Sequence, residues 1–178
     1  MSVTCEETAK RQGTQFEIFV ENLFRHYYSG IERNTIYTLV GSRREKIASV
    51  QIDISCSLRP FELKWGLLPL IRTRKGLFEL KYSNGFTINE DAVNQLYSAY
   101  SLLRRQSNVG FKPMAVVTNK DFTQGAYELA EQYGIELIPG GTLRQMYEKY
   151  SDLPMESCIR SIRITDYRTK PHHMTLEV

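Results

Sequence analysis

Asp53, Glu79 and Lys81 are the residues of this chain whose types and spacing could do chemistry. Asp53 stands in Val50-Gln51-Ile52-Asp53-Ile54-Ser55-Cys56, where apolar and polar residues alternate. That period of two reads as a strand with positions 50, 52, 54 and 56 on one face and 51, 53 and 55 on the other. In Leu77-Phe78-Glu79-Leu80-Lys81-Tyr82 the same alternation puts Phe78 and Leu80 on the apolar face and projects Glu79 and Lys81 together from the opposite one. If the two strands pair, two carboxylates and an ammonium converge. A hard divalent cation such as Mg²⁺ needs only one or two carboxylates, because it keeps waters and takes substrate phosphate oxygens. Asp53 and Glu79 are the expected ligands of Mg²⁺, with Mn²⁺ as its substitute. The cation would polarise a phosphoryl oxygen and acidify a water that attacks in line. Lys81 would orient that water and offset charge developing on phosphorus.

A second copy of the string, Phe61-Glu62-Leu63-Lys64-Trp65, has the same alternation and competes for the role. The two copies lead into different segments. After Lys64 come Gly66-Leu67-Leu68-Pro69-Leu70 and the basic run Arg72-Thr73-Arg74-Lys75. After Lys81 comes a turn at Ser83-Asn84-Gly85, then Asn89 as an N-cap with Glu90 and Asp91 in the first turn of a helix to about Arg105.

The elements that must position these groups emerge from periodicity. A first helix, from about Glu6 or Thr14 to Tyr28, buries Phe16, Phe19, Val20, Leu23, Phe24 and Tyr27. Tyr37 to Val40 reads as a strand, and residues 41–46 as a basic turn. The helix after Asn89 buries Val93, Leu96, Tyr97, Tyr100 and Leu103. Phe111-Lys112-Pro113 reads as a break before a short strand from Met114 to Thr118. Thr123 to Tyr133 reads as a helix stopped by Gly134, Ile135 to Ile138 as a strand, and Thr142-x-x-Gln145 as the cap of a last helix to about Tyr150. Strands alternating with helices imply an α/β protein with a mixed or parallel sheet covered by helices.

In this order the sequence resembles the Mrr-type restriction endonucleases of the PD-(D/E)XK nuclease superfamily, over roughly residues 12 to 147. The resemblance rests on Gly13-Thr14-Gln15-Phe16-Glu17, Asp53, Glu79-Leu80-Lys81, Val93-Asn94-Gln95-Leu96, Ala115-Val116-Val117-Thr118-Asn119, Phe122-Thr123 and Leu137-Ile138-Pro139-Gly140. It implies a restriction-endonuclease-like core, a central mixed β-sheet flanked by helices, and it favours Glu79 and Lys81 over Glu62 and Lys64. It implies Glu17 as a further acid near the metal, although Thr14-x-x-Glu17 also reads as a capping box. Gln95 matches a polar position that lines the site, and also reads as a half-exposed helix glutamine. The chain departs from the pattern where Ser49-Val50-Gln51 precedes Asp53 without a Gly-rich, second-acid context, and where Leu58 to Gly76 lengthens the connection.

At 178 residues the chain is the length of one domain with a tail. The reading divides it into an arm at 1–12, a nuclease-like domain at 13–150 and an extension at 151–178. Apolar residues at 42% and charged residues at 24% exclude a disordered or low-complexity chain. No run approaches a membrane span, and Met1-Ser2-Val3-Thr4-Cys5-Glu6-Glu7 is not a secretory leader, so an intracellular protein is expected, cytoplasmic if prokaryotic. Cys5, Cys56 and Cys158 imply neither a disulfide framework nor a zinc site. Net charge is only +3, but Arg43, Arg44 and Lys46, and Arg72, Arg74 and Lys75, form clusters that could hold a phosphodiester backbone. The expected function is therefore a metal-dependent DNA endonuclease, restriction-like or structure-specific, acting as a homodimer or through a recruiting protein. The alternative is a nuclease fold that binds nucleic acid or a protein without cutting.

Overall fold

A computed structural model of the chain describes residues 5–40, 46–57, 74–106 and 110–150. Helix α1 (Cys5–Phe24) leads into strands β1 (Ser29–Val40), β2 (Lys46–Ser57) and β3 (Arg74–Lys81). Then come α2 (Glu90–Gln106), β4 (Gly110–Thr118), α3 (Gln124–Tyr133), β5 (Glu136–Ile138) and α4 (Gly140–Glu148). The strands form one mixed sheet in the order β1-β2-β3-β4-β5. β1, β2 and β3 are antiparallel neighbours, whereas β3, β4 and β5 run parallel.

The parallel half dictates the layering. Two successive crossovers of one hand, both stepping the same way across the sheet, put their helices on the same face. Accordingly Ala92, Val93, Leu96 and Leu103 of α2 and Ala126 and Ala130 of α3 share one core with Leu77, Met114 and Val116. The other face carries Phe16, Phe19, Val20, Leu23 and Phe24 of α1 and Leu143, Met146 and Tyr147 of α4, packed on Phe78, Leu80, Ala115 and Val117. Phe24 and Phe78 meet edge to face with centroids 4.9 Å apart, which ties α1 to the strand that carries Glu79.

Local signals set several boundaries. Asn89 Oδ1 accepts the Asp91 N–H at the start of α2, and Thr123 Oγ1 accepts the Ala126 N–H at the start of α3. Gly134, at φ 64°, ends α3 with its N–H directed at the carbonyls of Ala130 and Glu131.

Other elements differ from the sequence reading. α1 starts at Cys5, beside the Glu6 start that the sequence offers, and runs without interruption through residues 5–24, so Thr14 is not an N-cap: its hydroxyl donates to the Lys10 carbonyl one turn back. β1 begins eight residues before Tyr37, and Gly30 and Asn34, both at positive φ, interrupt its regular pleat there. β4 starts at Gly110 and passes through Pro113, which falls at the register shift between Lys75↔Phe111 and Leu77↔Met114, where the lack of an N–H is tolerated. α4 starts at Gly140 after Pro139, so Thr142 lies inside the helix and caps nothing. A side chain at Gly140 would bring its Cβ within 2.5 Å of the Asn119 carbonyl oxygen, so only glycine fits this start.

Candidate active site

The site lies where β2 and β3 part. Their ladder runs from Ser57↔Lys75 to Ile54↔Phe78 and stops there, and further back β2 pairs β1 alone. Asp53, the next residue, has no ladder partner on either side. The position facing it on β1 is Asn34, whose φ of 54° interrupts the regular pleat. Here β2 changes sides: Val50 and Ile52 pack in the α2–α3 core, but Ile54 and Cys56 pack in the α1–α4 core. The expectation that positions 50, 52, 54 and 56 share one face is therefore corrected, and the break in the pleat at Asp53 is the reason.

Asp53 fills the opening. Its Oδ2 accepts the Leu80 backbone N–H at 2.8 Å, a bond that a neighbouring strand would otherwise supply. Glu79 is 3% exposed, and its Oε1 lies 2.7 Å from Lys81 Nζ. Lys81 Nζ also donates to Gln95 Oε1 of α2 at 2.9 Å. Asp53, Glu79, Lys81 and Gln95 are thus brought together by three separate elements.

Glu17 of α1 belongs to the same electrostatic neighbourhood. Burial raises its pKa, the Asp53 charge raises it further, and Arg33 lowers it. Burial likewise raises the pKa of Glu79, followed by the charge of Asp53; Lys81 opposes this, and Glu17 adds a small upward push. The ion pair with Lys81 is short, yet desolvation and the neighbouring carboxylates win. The carboxyls of Glu17 and Glu79 are both raised by burial and by the neighbouring Asp53 charge, and a cation placed among the three acids would relieve that crowding.

Among the described residues no three His, Cys, Asp or Glu side chains form a ready-made metal cage. The donor set nevertheless fits Mg²⁺, which is content with one or two carboxylates and fills its remaining positions with water and phosphate oxygens. The set is made of oxygen donors, without thiol or imidazole; the one cysteine whose side chain is described, Cys56, is buried with its pKa pushed up to about 11.

Arg33 is a site residue that sequence reasoning misses. It stands opposite Ile54 on β1, with Nε 3.5 Å from Glu21 Oε2 and a guanidinium nitrogen 4.0 Å from Glu17 Oε2. Nothing in Glu32-Arg33-Asn34 signals that role. Asn119, just past the end of β4, is 2% exposed and bonds Ser83 twice: Oδ1 accepts the Ser83 N–H and Nδ2 donates to the Ser83 carbonyl, both at 2.9 Å.

The basic clusters are only partly described. Arg43, Arg44 and Arg72, and the competing pair Glu62 and Lys64, lie outside the described residues. Lys46 opens β2 and Arg74 opens β3. Lys75, paired with Ser57 at the far end of β2, holds its ammonium 5.6 Å from the Tyr37 ring centroid. Lys46 and Lys75 therefore stand beside opposite ends of β2 in register, yet the Tyr37 ring that Lys75 reaches belongs to the residue paired with Val50, near the Lys46 end. A cleft of about 410 Å³ lined by Tyr97, Tyr100, Ser101, Arg104 and Arg105 opens elsewhere. At about 100° per residue its lining centres on the side of α2 turned away from Gln95, so it is not part of this site.

A family model described as restriction endonuclease, the Mrr catalytic domain, matches residues 8–147. In structure the chain is similar to the crystal structure of a protein of unknown function, AF1548, with a TM-score of 0.57 at 15% identity, covering 82% of this chain and 73% of that one. It is also similar to the MspJI restriction endonuclease in complex with a 27-mer oligonucleotide, with a TM-score of 0.44 at 16% identity, covering 82% of this chain and 32% of that one. At 15% identity the likeness to AF1548 concerns the fold alone. No curated protein matches the sequence.

Proposed function

The chain belongs to the restriction endonuclease family, and from that premise we propose that it is a Mg²⁺-dependent endonuclease that hydrolyses DNA phosphodiester bonds. The observation that carries the reading is the convergence of Asp53, Glu79 and Lys81 at the β2–β3 fork, with Gln95 behind the lysine. Asp53 and Glu79 would hold the cation, with Glu17 as an outlying acid, and Mn²⁺ would substitute. When bound, the cation supplies Lewis acidity to the scissile phosphoryl group.

The protein's own groups do the rest. Asp53 keeps one carboxylate oxygen on the Leu80 N–H, which aims the other into the fork. Gln95 takes one N–H of Lys81, leaving the ammonium to hold the attacking water and to offset the negative charge that grows on the phosphoryl oxygens. Water adds to phosphorus as the bond to the leaving sugar oxygen breaks, so one proton must reach that oxygen or solvent. The clusters Arg43-Arg44-Lys46 and Arg72-Arg74-Lys75 are assigned to the DNA backbone. Cutting both strands of a duplex would require a homodimer or a recruiting protein, since one site cuts one strand at a time.

The test is cleavage of supercoiled plasmid and branched DNA with Mg²⁺, Mn²⁺ or EDTA, with Asp53→Asn alongside. Metal-dependent nicking that disappears in the variant supports the assignment. DNA binding without cleavage would leave the alternative, a nuclease fold that binds DNA without cutting it.

A further inference from the structure

We infer that Phe86 contacts a nucleobase of the substrate, stacking on an unpaired or unstacked base beside the phosphate to be cut. The inference deepens the proposed function and rests on its DNA-binding half.

Phe86 is 83% exposed, whereas Phe16, Phe19, Phe24, Phe78, Phe111 and Phe122 are all buried. An exposed phenylalanine alone would mean little; what matters is how this one is held. Asn119 grips the Ser83 backbone from both sides. Ser83 Oγ then accepts the N–H groups of Gly85 at 3.4 Å and Phe86 at 3.0 Å. Downstream, the Ile88 N–H donates to the Asp121 carbonyl at 2.8 Å, and the Ile88 carbonyl accepts the Thr123 N–H at 2.9 Å. Residues 84–87 are thus clamped at both ends, which lowers the backbone entropy lost when the ring engages a base.

The clamp joins this loop to the reaction centre. It starts two residues after Lys81 and ends at α2, whose Gln95 bonds the Lys81 ammonium. The two elements that aim the lysine also present the ring. A phenyl group carries no hydrogen-bonding atom, so its use to a nucleic acid is its π face, which stacks on any base. Bases inside a regular duplex are already stacked. The ring therefore selects DNA in which a base near the cut is unpaired or easily unstacked, as at a junction, a flap or a mismatch.

The test uses the full chain in EDTA with a four-way junction and a matched duplex, 2-aminopurine replacing each base flanking the branch in turn. Expected is a fluorescence change at one flanking position, lost in Phe86→Ala together with about tenfold of the junction affinity, while duplex affinity is unchanged and Phe86→Trp behaves as the parent. Junction binding by Phe86→Ala equal to the parent, with the fluorescence change intact, overturns the inference. Cleavage in Mg²⁺ separates it from the broader reading. Phe86-dependent fluorescence without cleavage removes the nuclease reading alone; cleavage with the same KM in parent and Phe86→Ala removes the inference alone.

Discussion

Asp53 Oδ2 accepts the backbone N–H of Leu80 at 2.8 Å, just beyond the last β2–β3 ladder pair. A side chain here does the work of a strand, and this makes the choice of substitution matter. Asp53→Ala leaves the Leu80 N–H without its acceptor, at a cost of about 1–3 kcal/mol. Asp53→Asn keeps an acceptor and removes the charge. The expected outcome is melting within a few degrees of the parent for Asp53→Asn, a clear drop for Asp53→Ala, and loss of cleavage in both. Cleavage that persists in Asp53→Asn would remove Asp53 from the centre.

Lys81→Ala should reduce cleavage by about 10²–10³-fold, the scale on which single electrostatic donors act, whereas Lys64→Ala should leave it near the parent rate. Single-turnover rates with both variants decide between the two Phe-Glu-Leu-Lys strings. The reverse ranking would transfer the role to Glu62 and Lys64.

Glu79 gives a pH prediction with a definite sign. Its folded pKa is raised above the ordinary 4.5, so the unfolded chain loses this proton first, and stability falls as pH climbs above 4.5 through the raised value. Without metal, Glu79→Gln should flatten that decline and melt at or above the parent temperature at pH 8. Added Mg²⁺ should raise the melting temperature of the parent, because it binds the native state, and should do so less for the variant. A parent whose melting temperature ignores both pH in this range and Mg²⁺ would count against Glu79 as a ligand.

Replacing Arg72, Arg74 and Lys75 together with Gln should weaken DNA binding and reduce the slope of log K against log salt by about 0.9 for each phosphate no longer neutralised. Titration from low to moderate salt reads the slope directly. An unchanged slope excludes the cluster from the binding surface.

Much of this architecture is legible in the sequence because its signals are local. The core stripes of α1 and α2, Asn89 as a cap, Gly134 as a stop and the alternation that projects Glu79 with Lys81 depend on neighbours in sequence. The hidden features depend on partners far away. Asp53 sits where the pleat breaks, opposite Asn34 on another strand, whose positive φ no pattern around Asp53 announces. Thr14 and Glu17 have the spacing of a capping box, but whether a helix starts there depends on whether the preceding turn packs and continues. Arg33 acquires a role only because β1 pairs β2 beside Asp53, which no pattern in its own segment announces.

Asn119 gathers two demands at one point: its carbonyl leaves no room for a side chain at residue 140, and its amide holds the Ser83 backbone. The four residues at 84–87 lie between that anchor and the backbone bonds of Ile88, so the two ends of the segment are held by groups outside it. Substitutions within the segment are therefore expected to leave the sheet and the carboxylates in place, which melting temperatures of Asn84, Phe86 and Thr87 variants would check. If Phe86 reads the substrate as inferred, target preference can drift faster than the chemistry proposed for the carboxylates.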